Sequence, residues 1–357
     1  MKKLVRHRLF WPIAALIALI VVNTIARPQF IGITLRDGQL YGPLIDILRN
    51  SAPLMLVALG MTIVIATRGI DLSVGAIMAV SGAVALTIID ASADPGGIGT
   101  VAIALVTALL VALVLGAWNG LLVSVVGIQP IVATLVLMLA GRGMALLITD
   151  GFITTVTSAP YKFIATGYVL GLPFALFIAA AAIAVIALVE RRTALGVLTE
   201  AVGINPEASR LAGVRAKGIV FGAYVASGVL AGLAGILYSS NIMAADANAS
   251  GLYIELYAIL AVVLGGTSLM GGKFTIAGTV VGVFTIQTLE STILFLGVPS
   301  AQAPVFFAAV VIVVVIVQSP QLHRFMRRLT TRRPDDSNRT DAAPPAPSQA
   351  KTEVVSR

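Results

Sequence analysis

The sequence predicts an all-α, polytopic membrane protein: a helical bundle of about ten transmembrane helices with cytoplasmic N- and C-termini. Apolar residues make up 58% of its 357 residues and charged residues only 11%, whereas an average soluble domain carries about 25% charge. The apolar residues form long runs, and the basic residues concentrate at the ends and in one central loop. Such a chain cannot cover its apolar surface in water, so we expect it to fold within lipid.

The apolar runs predict the individual spans, because a helix needs about 20 apolar residues to cross a bilayer. In order, the predicted spans are 11–27, 44–67, 71–90, 100–126, 130–149, 172–189, 219–240, 255–270, 274–297 and 303–318. Eight or nine full spans with one re-entrant segment also fit the pattern. The spans divide the chain into a basic N-terminus (1–10), a membrane domain (11–320) and a polar, Pro/Ala-rich tail (321–357) that we expect to be disordered.

Basic residues predict the orientation, because loops rich in Lys and Arg remain in the cytoplasm. Such residues cluster before residue 10, in the loop 190–218 and after residue 323. An even number of spans places all three segments on one side. The opposite loops carry few basic residues, mainly Arg36 and Lys162. The net charge of +8 is therefore explained by topology, and it indicates membrane lipid rather than nucleic acid as the partner.

The composition leaves little for catalysis or metal binding. The chain has no cysteine, which excludes disulfides and thiolate metal sites. Its only histidines, His7 and His323, lie in the terminal basic segments. An intramembrane enzyme needs a nucleophile and base, or a metal, within the spans. We therefore expect no catalytic residue, no metal and no cofactor.

The stretch "GGTSLMGGKF" (265–274) superficially resembles a nucleotide-binding loop. A P-loop follows a strand and has Ser or Thr directly after its Lys. Here a helix-length apolar run precedes the stretch, an extra glycine separates Gly271 from Lys273, and Phe274 takes the Ser/Thr position. These differences predict a tight cytoplasmic turn between two spans. The stretch shares Gly-x-x-Leu-x-x-Gly with 69–75, but three matched positions do not distinguish a repeat from coincidence.

Several charged residues lie within the predicted spans, where each has either a structural role or a role in lining a polar path. Asp71 is better explained as a helix cap beside Ser73. Arg142 and Glu290 fit internal pairing and path lining equally well. Asn119, Gln129 and Thr134 add further polarity to the fourth and fifth spans. Because the charges are scattered singly, they disfavour an ion-coupled carrier.

The loop 190–218 is the longest internal hydrophilic stretch. Its sequence predicts two short helical pieces broken at Asn205-Pro206, with Asn205 as N-cap and Pro206 in the first turn of the second piece. Glu207 adds negative charge at that positive helix end. A short helix along the membrane surface suits docking of a cytosolic partner, and an inert linker is the alternative.

Four motifs, in order, resemble the permeases of ribose-type sugar ABC importers, a family within the branched-chain amino acid/ribose permease superfamily. They are "TRGIDLSVGA" (67–76), "WNGLLVSVVGIQPIVATLVLMLAGRG" (118–143), "EAVGINPEASRLAGV" (200–214) and "AILAVVLGGTSLMGGKF" (258–274). The resemblance covers about residues 40–320. "DGQLYGPLIDIL" (37–48) and "ADANASGLYIEL" (245–256) are most similar to the galactofuranose-type permeases.

The resemblance implies a permease in a bacterial inner (plasma) membrane that does not itself hydrolyse ATP. It also implies three partners: a second, identical or different permease chain, a cytosolic sugar ABC ATPase and a periplasmic sugar-binding protein. For coupling to the ATPase it indicates Glu200, Gly203, Asn205, Ala208, Arg210 and Gly213. For the substrate path we expect Asn119, Gln129, Thr134, Arg142 and Asn248, and for the binding-protein side Asp246 and Glu255.

The sequence departs from the family pattern at a few positions. Arg68 stands where Gly is usual, Tyr257 stands where the galactofuranose subgroup has Asp, and Lys273-Phe274 replace a Gly- or Arg-containing pair. The change at Tyr257, which we place near the outer mouth or the sugar path, leaves the sugar open. An ATP-independent carrier or facilitator of small polar solutes is the alternative function.

Overall fold

The computed structural model describes residues 9–297 and a few residues between 302 and 312. The predicted tenth span (303–318) is described only in those few residues, and the tail (321–357) and most of the basic N-terminus lie outside the described part. Two helices lie on either side of a first hairpin: α1 (Phe10–Ala26) precedes β1 (Thr34–Arg36) and β2 (Gln39–Tyr41), and α2 (Pro43–Ala66) follows them.

The rest of the described chain is mainly helical. It comprises α3 (Val74–Asp90), α4 (Ile98–Leu121) with a π-helical extension (Leu122–Val126), α5 (Pro130–Ile148), β3 (Thr154–Thr155), α6 (Ala159–Thr166), β4 (Tyr168–Val169), β5 (Leu172–Pro173), α7 (Phe174–Arg192), α8 (Leu195–Ile204), α9 (Pro206–Leu211), α10 (Ala216–Ile242), β6 (Ala244–Ala245), α11 (Ile254–Leu264) and α12 (Ile276–Phe295).

Six described helices are long and apolar enough to cross a membrane: α2, α4 with its extension, α5, α7, α10 and α12. Helices α1, α3, α8 and α11 are apolar but shorter. The structure is thus a polytopic helical membrane protein, as predicted. The predicted eighth span (255–270) is only partly helical, because α11 ends at Leu264 and Gly266 adopts a left-handed conformation with φ of 86°.

The bundle is organised around α2 and α10, which pack closely through small residues. An alanine Cβ at Gly60 would lie 2.8 Å from the Cα of Ser227, and one at Gly228 would lie 2.6 Å from the Cα of Gly116. Such contacts bring helix backbones together, which is how helices associate in lipid. The glycines in these spans therefore serve packing, as their abundance in the sequence suggests.

Helices α1, α3, α5, α10 and α12 run in one direction and α2, α4, α7 and α11 in the other. We call the end where α2 begins the hairpin end, because it holds the antiparallel pairs β1–β2, β3–β6 and β4–β5. A bond from Leu40 N to Gly171 O (2.9 Å) joins two of these hairpins. We call the opposite end the elbow end. It holds α8 and α9, which join at Asn205 and together form the elbow (195–211). It also holds the glycine turn (265–275) between α11 and α12.

Candidate functional site

The elbow is built by local capping chemistry. Asn205 has an extended backbone (φ −155°, ψ 98°), which ends α8. Its side-chain oxygen accepts hydrogen bonds from Glu207 N (3.1 Å) and Ala208 N (3.0 Å). Pro206 occupies the first position of α9, where its missing N–H costs nothing. The predicted break into two helical pieces is thus confirmed.

The exposed face of α9 carries one ion pair. Arg210 and Glu207 approach to 2.6 Å, with both side chains about two-thirds exposed. The hydrogen bond from Arg210 and its positive charge lower the pKa of the Glu207 carboxyl. The pair is too exposed to stabilise the fold much.

Of the six predicted coupling residues, Glu200 is half-buried, Gly203 is buried, and the other four are exposed. Large apolar side chains are exposed between them: Ile204 (57%) and Leu211 (77%) on the elbow, and Met270 (79%) on the glycine turn. The elbow end therefore combines charged and apolar groups on one surface, the composition expected of a protein–protein contact.

Gly203 lies where three chain segments meet at the elbow end. A Cβ at this position would lie 1.8 Å from the carbonyl oxygen of Ala66, at the end of α2, and 2.5 Å from Gly272 N. Gly272 N itself donates to Ala66 O at 2.9 Å. The end of α2, the elbow and the glycine turn are therefore in backbone contact, and only glycine fits at position 203.

Arg68, which lies just after the end of α2, connects the same three segments through hydrogen bonds of its side chain. Its Nε donates to Met270 O of the glycine turn at 3.2 Å, and an Nη donates to Ile204 O of the elbow. Arg68 has a left-handed backbone, with φ of 67°, a conformation that glycine adopts without strain. The family pattern has Gly at this position. Here Arg68 takes its place and binds two carbonyl groups that are far apart in the sequence.

A buried polar cluster lies where the chain turns from α2 into α3. Asp71 accepts hydrogen bonds from Ser73 N (3.1 Å), Ser73 Oγ (2.6 Å) and Ser227 Oγ (2.8 Å). Asn119 Nδ2 donates to Ser73 Oγ at 2.8 Å. Thr134 Oγ1 accepts from Leu72 N at 3.1 Å. The prediction that Asp71 caps α3 is wrong: Ser73 holds the N-cap position, and the Asp71 carboxylate binds Ser73 and Ser227 instead of N–H groups of the first turn.

Arg142 holds the segment that connects β6 to α11. Its guanidinium donates to Ala247 O (3.0 Å) and to Ser250 O. Asp246 folds the same segment locally by accepting from Asn248 N (2.8 Å) and Ala249 N (3.1 Å). Arg142, Asp246 and Asn248 therefore belong to one structural unit.

The structure thus separates the predicted path residues into distinct places. Asn119 and Thr134 are buried in or beside the Asp71 cluster, and Arg142 braces the 246–253 segment. Gln129, directly before α5, and Asn248 are exposed. Glu255 is half-buried in the first turn of α11, where its carboxylate lies next to Gly75. Within the described residues there is no cluster of three or more His, Asp or Glu suited to a metal ion.

A family model matches most of the chain. It is described as the branched-chain amino acid transport system / permease component, and it covers residues 44–316. The chain belongs to this family. It is 43% identical to a fructose import permease protein of Bifidobacterium longum, over 93% of each chain.

Other relatives are similarly complete. The chain is 46% identical to a galactofuranose transporter permease protein of Escherichia coli, over 82% of this chain and 86% of the relative. It is 35% identical to a ribose import permease protein of Haemophilus influenzae, over 80% and 85%. No solved structure matches the chain. The family membership makes this chain a transport subunit rather than an enzyme.

Sequence reasoning did not identify the role of Arg68. The unusual residue at a position typical of glycine was the available signal, but its partners are 136 and 202 residues away in sequence. Asn50 and Asn241, which line a cavity described below, also escaped notice. Asn50 lies two turns into α2 and Asn241 lies one residue before the end of α10, and nothing local distinguishes either from other polar residues.

Proposed function

We propose that the chain is the membrane-spanning permease subunit of an ATP-binding cassette importer for a monosaccharide. The match of 43% identity over 93% of both chains to a fructose import permease carries this proposal. Permeases named for galactofuranose and ribose support a sugar rather than an amino acid as substrate. The sugar is galactofuranose-, galactose-, fructose- or ribose-like, and the membrane is a bacterial inner membrane.

The elbow end is the proposed contact with a cytosolic ATPase. Closure of the ATPase on ATP would push the elbow, and the three-segment junction at Gly203 would transmit that movement to α2 and to the glycine turn. We assign coupling to the residues of the elbow and its exit: Glu200, Gly203, Asn205, Ala208, Arg210 and Gly213. The exposed Glu207–Arg210 pair and the exposed Leu211 support this assignment.

The remaining partners follow from the same proposal. A second permease chain, identical or different, completes the membrane unit, and a periplasmic sugar-binding protein delivers the sugar at the hairpin end. Asp246 and Glu255 remain our candidates for the side that receives the binding protein. For the substrate path we keep Gln129 and Asn248, which are exposed in the described chain. Asn119, Thr134 and Arg142 would act by fixing the backbone beside the path.

The experiment is a pull-down of the detergent-solubilised permease with its ATPase. Wild type is compared with Glu200→Lys in the elbow and with Asp94→Lys, a matched charge reversal in the loop at the hairpin end. We expect wild type and Asp94→Lys to retain the ATPase and Glu200→Lys to lose it. If wild type retains no ATPase and sugar uptake continues in ATP-depleted vesicles, an ATP-independent carrier replaces our proposal.

A further inference from the structure

The chain between β6 and α11 is non-helical at a depth where the surrounding chain is helical. Gly251 packs against Gly75 and the Met78 sulfur, and Met78 packs against Gly235 of α10. Gly235 precedes the end of α10 at Ile242 by seven residues, a distance of about 10 Å along a helix. The segment 246–253 therefore enters the bundle from the hairpin end to about that depth.

Non-helical backbone within a membrane needs either protein or a water-filled cavity around its polar groups. Protein supplies part of this environment here, since Arg142 binds the carbonyls of Ala247 and Ser250 on one side of the segment. A cavity of about 350 Å³ borders Ala249, Gly251 and Leu252. The segment is thus held by the Arg142 guanidinium and also borders the cavity.

The cavity is lined mainly by α2, α10, α11, α12 and the 246–253 segment, with Met78 of α3, Ala165 of α6 and Ala175 of α7 completing it. Its volume falls in the range of about 300–1,000 Å³ that is typical of small-molecule sites. Amide, carboxylate and phenol groups converge on it from four helices. These are Asn50, Asn241, Gln287, Glu290, Tyr238 and Tyr257.

The lining matches a neutral, hydroxyl-rich ligand better than an amino acid. Amide groups both donate and accept, as do sugar hydroxyls, and the tyrosine rings add flat apolar surface with a polar edge. Gln287 Nε2 donates to Glu290 Oε2 at 2.9 Å, which orients both groups. The cation in the lining, Arg49, already pairs with Asp46 at 3.1 Å, so an amino acid carboxylate would compete with that pair.

We propose that this cavity binds one monosaccharide in transit, beside the unwound 246–253 segment. The inference rests on the proposed function and adds a location and a lining to it.

The absence of cysteine from the chain allows a direct test. Ser291→Cys places a thiol in the cavity lining on α12, and Ala249→Cys places a second reporter there on the 246–253 segment. Ala93→Cys, exposed in the loop after α3, is the matched control. Each variant is assembled with its ATPase and binding protein in vesicles and treated with a small methanethiosulfonate reagent, with D-fructose, D-ribose, D-galactose or L-leucine present.

We expect the transported sugar to slow labelling of both cavity thiols by about tenfold, the mass-action result at roughly ten times its dissociation constant. Labelling at Ala93→Cys should not change, and the labelled cavity variants should lose sugar uptake. Equal labelling rates with and without the transported sugar, or protection by leucine alone, would overturn the inference. Failure of the proposed function is a separate result, namely absence of ATP-dependent sugar uptake by the wild-type importer.

Discussion

At the residue scale, Arg68 combines an unfavourable backbone conformation with two useful hydrogen bonds. A side chain in the left-handed region costs about 1 kcal/mol relative to glycine. In return, the guanidinium binds carbonyls of the glycine turn and of the elbow. Because it contacts both segments of the proposed coupling site, we expect Arg68 to position the elbow relative to the glycine turn.

This arrangement predicts an order for two substitutions. Arg68→Ala loses both hydrogen bonds and keeps the backbone strain, whereas Arg68→Gly loses the bonds and relieves the strain. We expect thermal stability in detergent to fall from wild type to Arg68→Gly to Arg68→Ala, the last two differing by about 1 kcal/mol. Equal stability of all three proteins would show that the Arg68 bonds contribute nothing.

Gly203 gives the second prediction at this scale. Gly203→Ala introduces a Cβ 1.8 Å from Ala66 O, so the elbow must move away from α2. We expect weaker retention of the ATPase and a loss of at least about 2 kcal/mol of stability. The matched control is Gly222→Ala in α10, where a Cβ meets nothing within 4 Å. That change should stabilise the helix by up to about 1 kcal/mol, and similar behaviour of the two variants would contradict the prediction.

At the scale of elements, the start of α3 depends on one buried carboxylate. Asp71 accepts three hydrogen bonds, and its partner Ser73 receives a fourth from Asn119. The cluster therefore joins the turn after α2 to α4 and α10. This junction lies within the bundle, three residues after Arg68 in the chain.

Removal of this carboxylate should be severe. Asp71→Ala leaves buried donors on Ser73 and Ser227 without an acceptor, at about 1–3 kcal/mol for each. We expect a marked fall in the denaturation midpoint, and partial recovery in Asp71→Asn, which keeps one acceptor oxygen. Asp94→Ala in the exposed loop serves as control and should change stability by less than about 0.5 kcal/mol. If the denaturation midpoint of Asp71→Ala equals that of Asp94→Ala, the cluster does not stabilise the fold.

Some elements could be predicted from the sequence and others could not, for a physical reason. The break at Asn205-Pro206 is local chemistry, since a cap and a proline act on neighbouring residues. The unwound segment 246–253 depends on Arg142, more than 100 residues away. The eighth span was predicted too long for another reason: the helix ends at Leu264, where the glycine turn begins. The cavity beside the 246–253 segment is built from residues far apart in sequence, so it had no local signal.

At the scale of the whole molecule, the direction of each helix agrees with the distribution of basic residues. The elbow end carries most of the exposed cations of the described chain: Arg68, Arg191, Arg192, Arg210, Arg215, Lys217 and Lys273. The hairpin end carries few, such as Arg36 and Lys162. Since loops rich in Lys and Arg are retained in the cytoplasm, the elbow end should face the ATPase and the hairpin end the periplasm.

The orientation can be measured on intact cells, again because the chain lacks cysteine. Ala93→Cys at the hairpin end and Ala194→Cys at the elbow end are both exposed alanine positions. We expect a membrane-impermeant maleimide to label Ala93→Cys in intact cells and Ala194→Cys only after permeabilisation. The reverse pattern would place the elbow outside, where no ATPase could reach it, and both the coupling assignment and the delivery of sugar at the hairpin end would then be wrong.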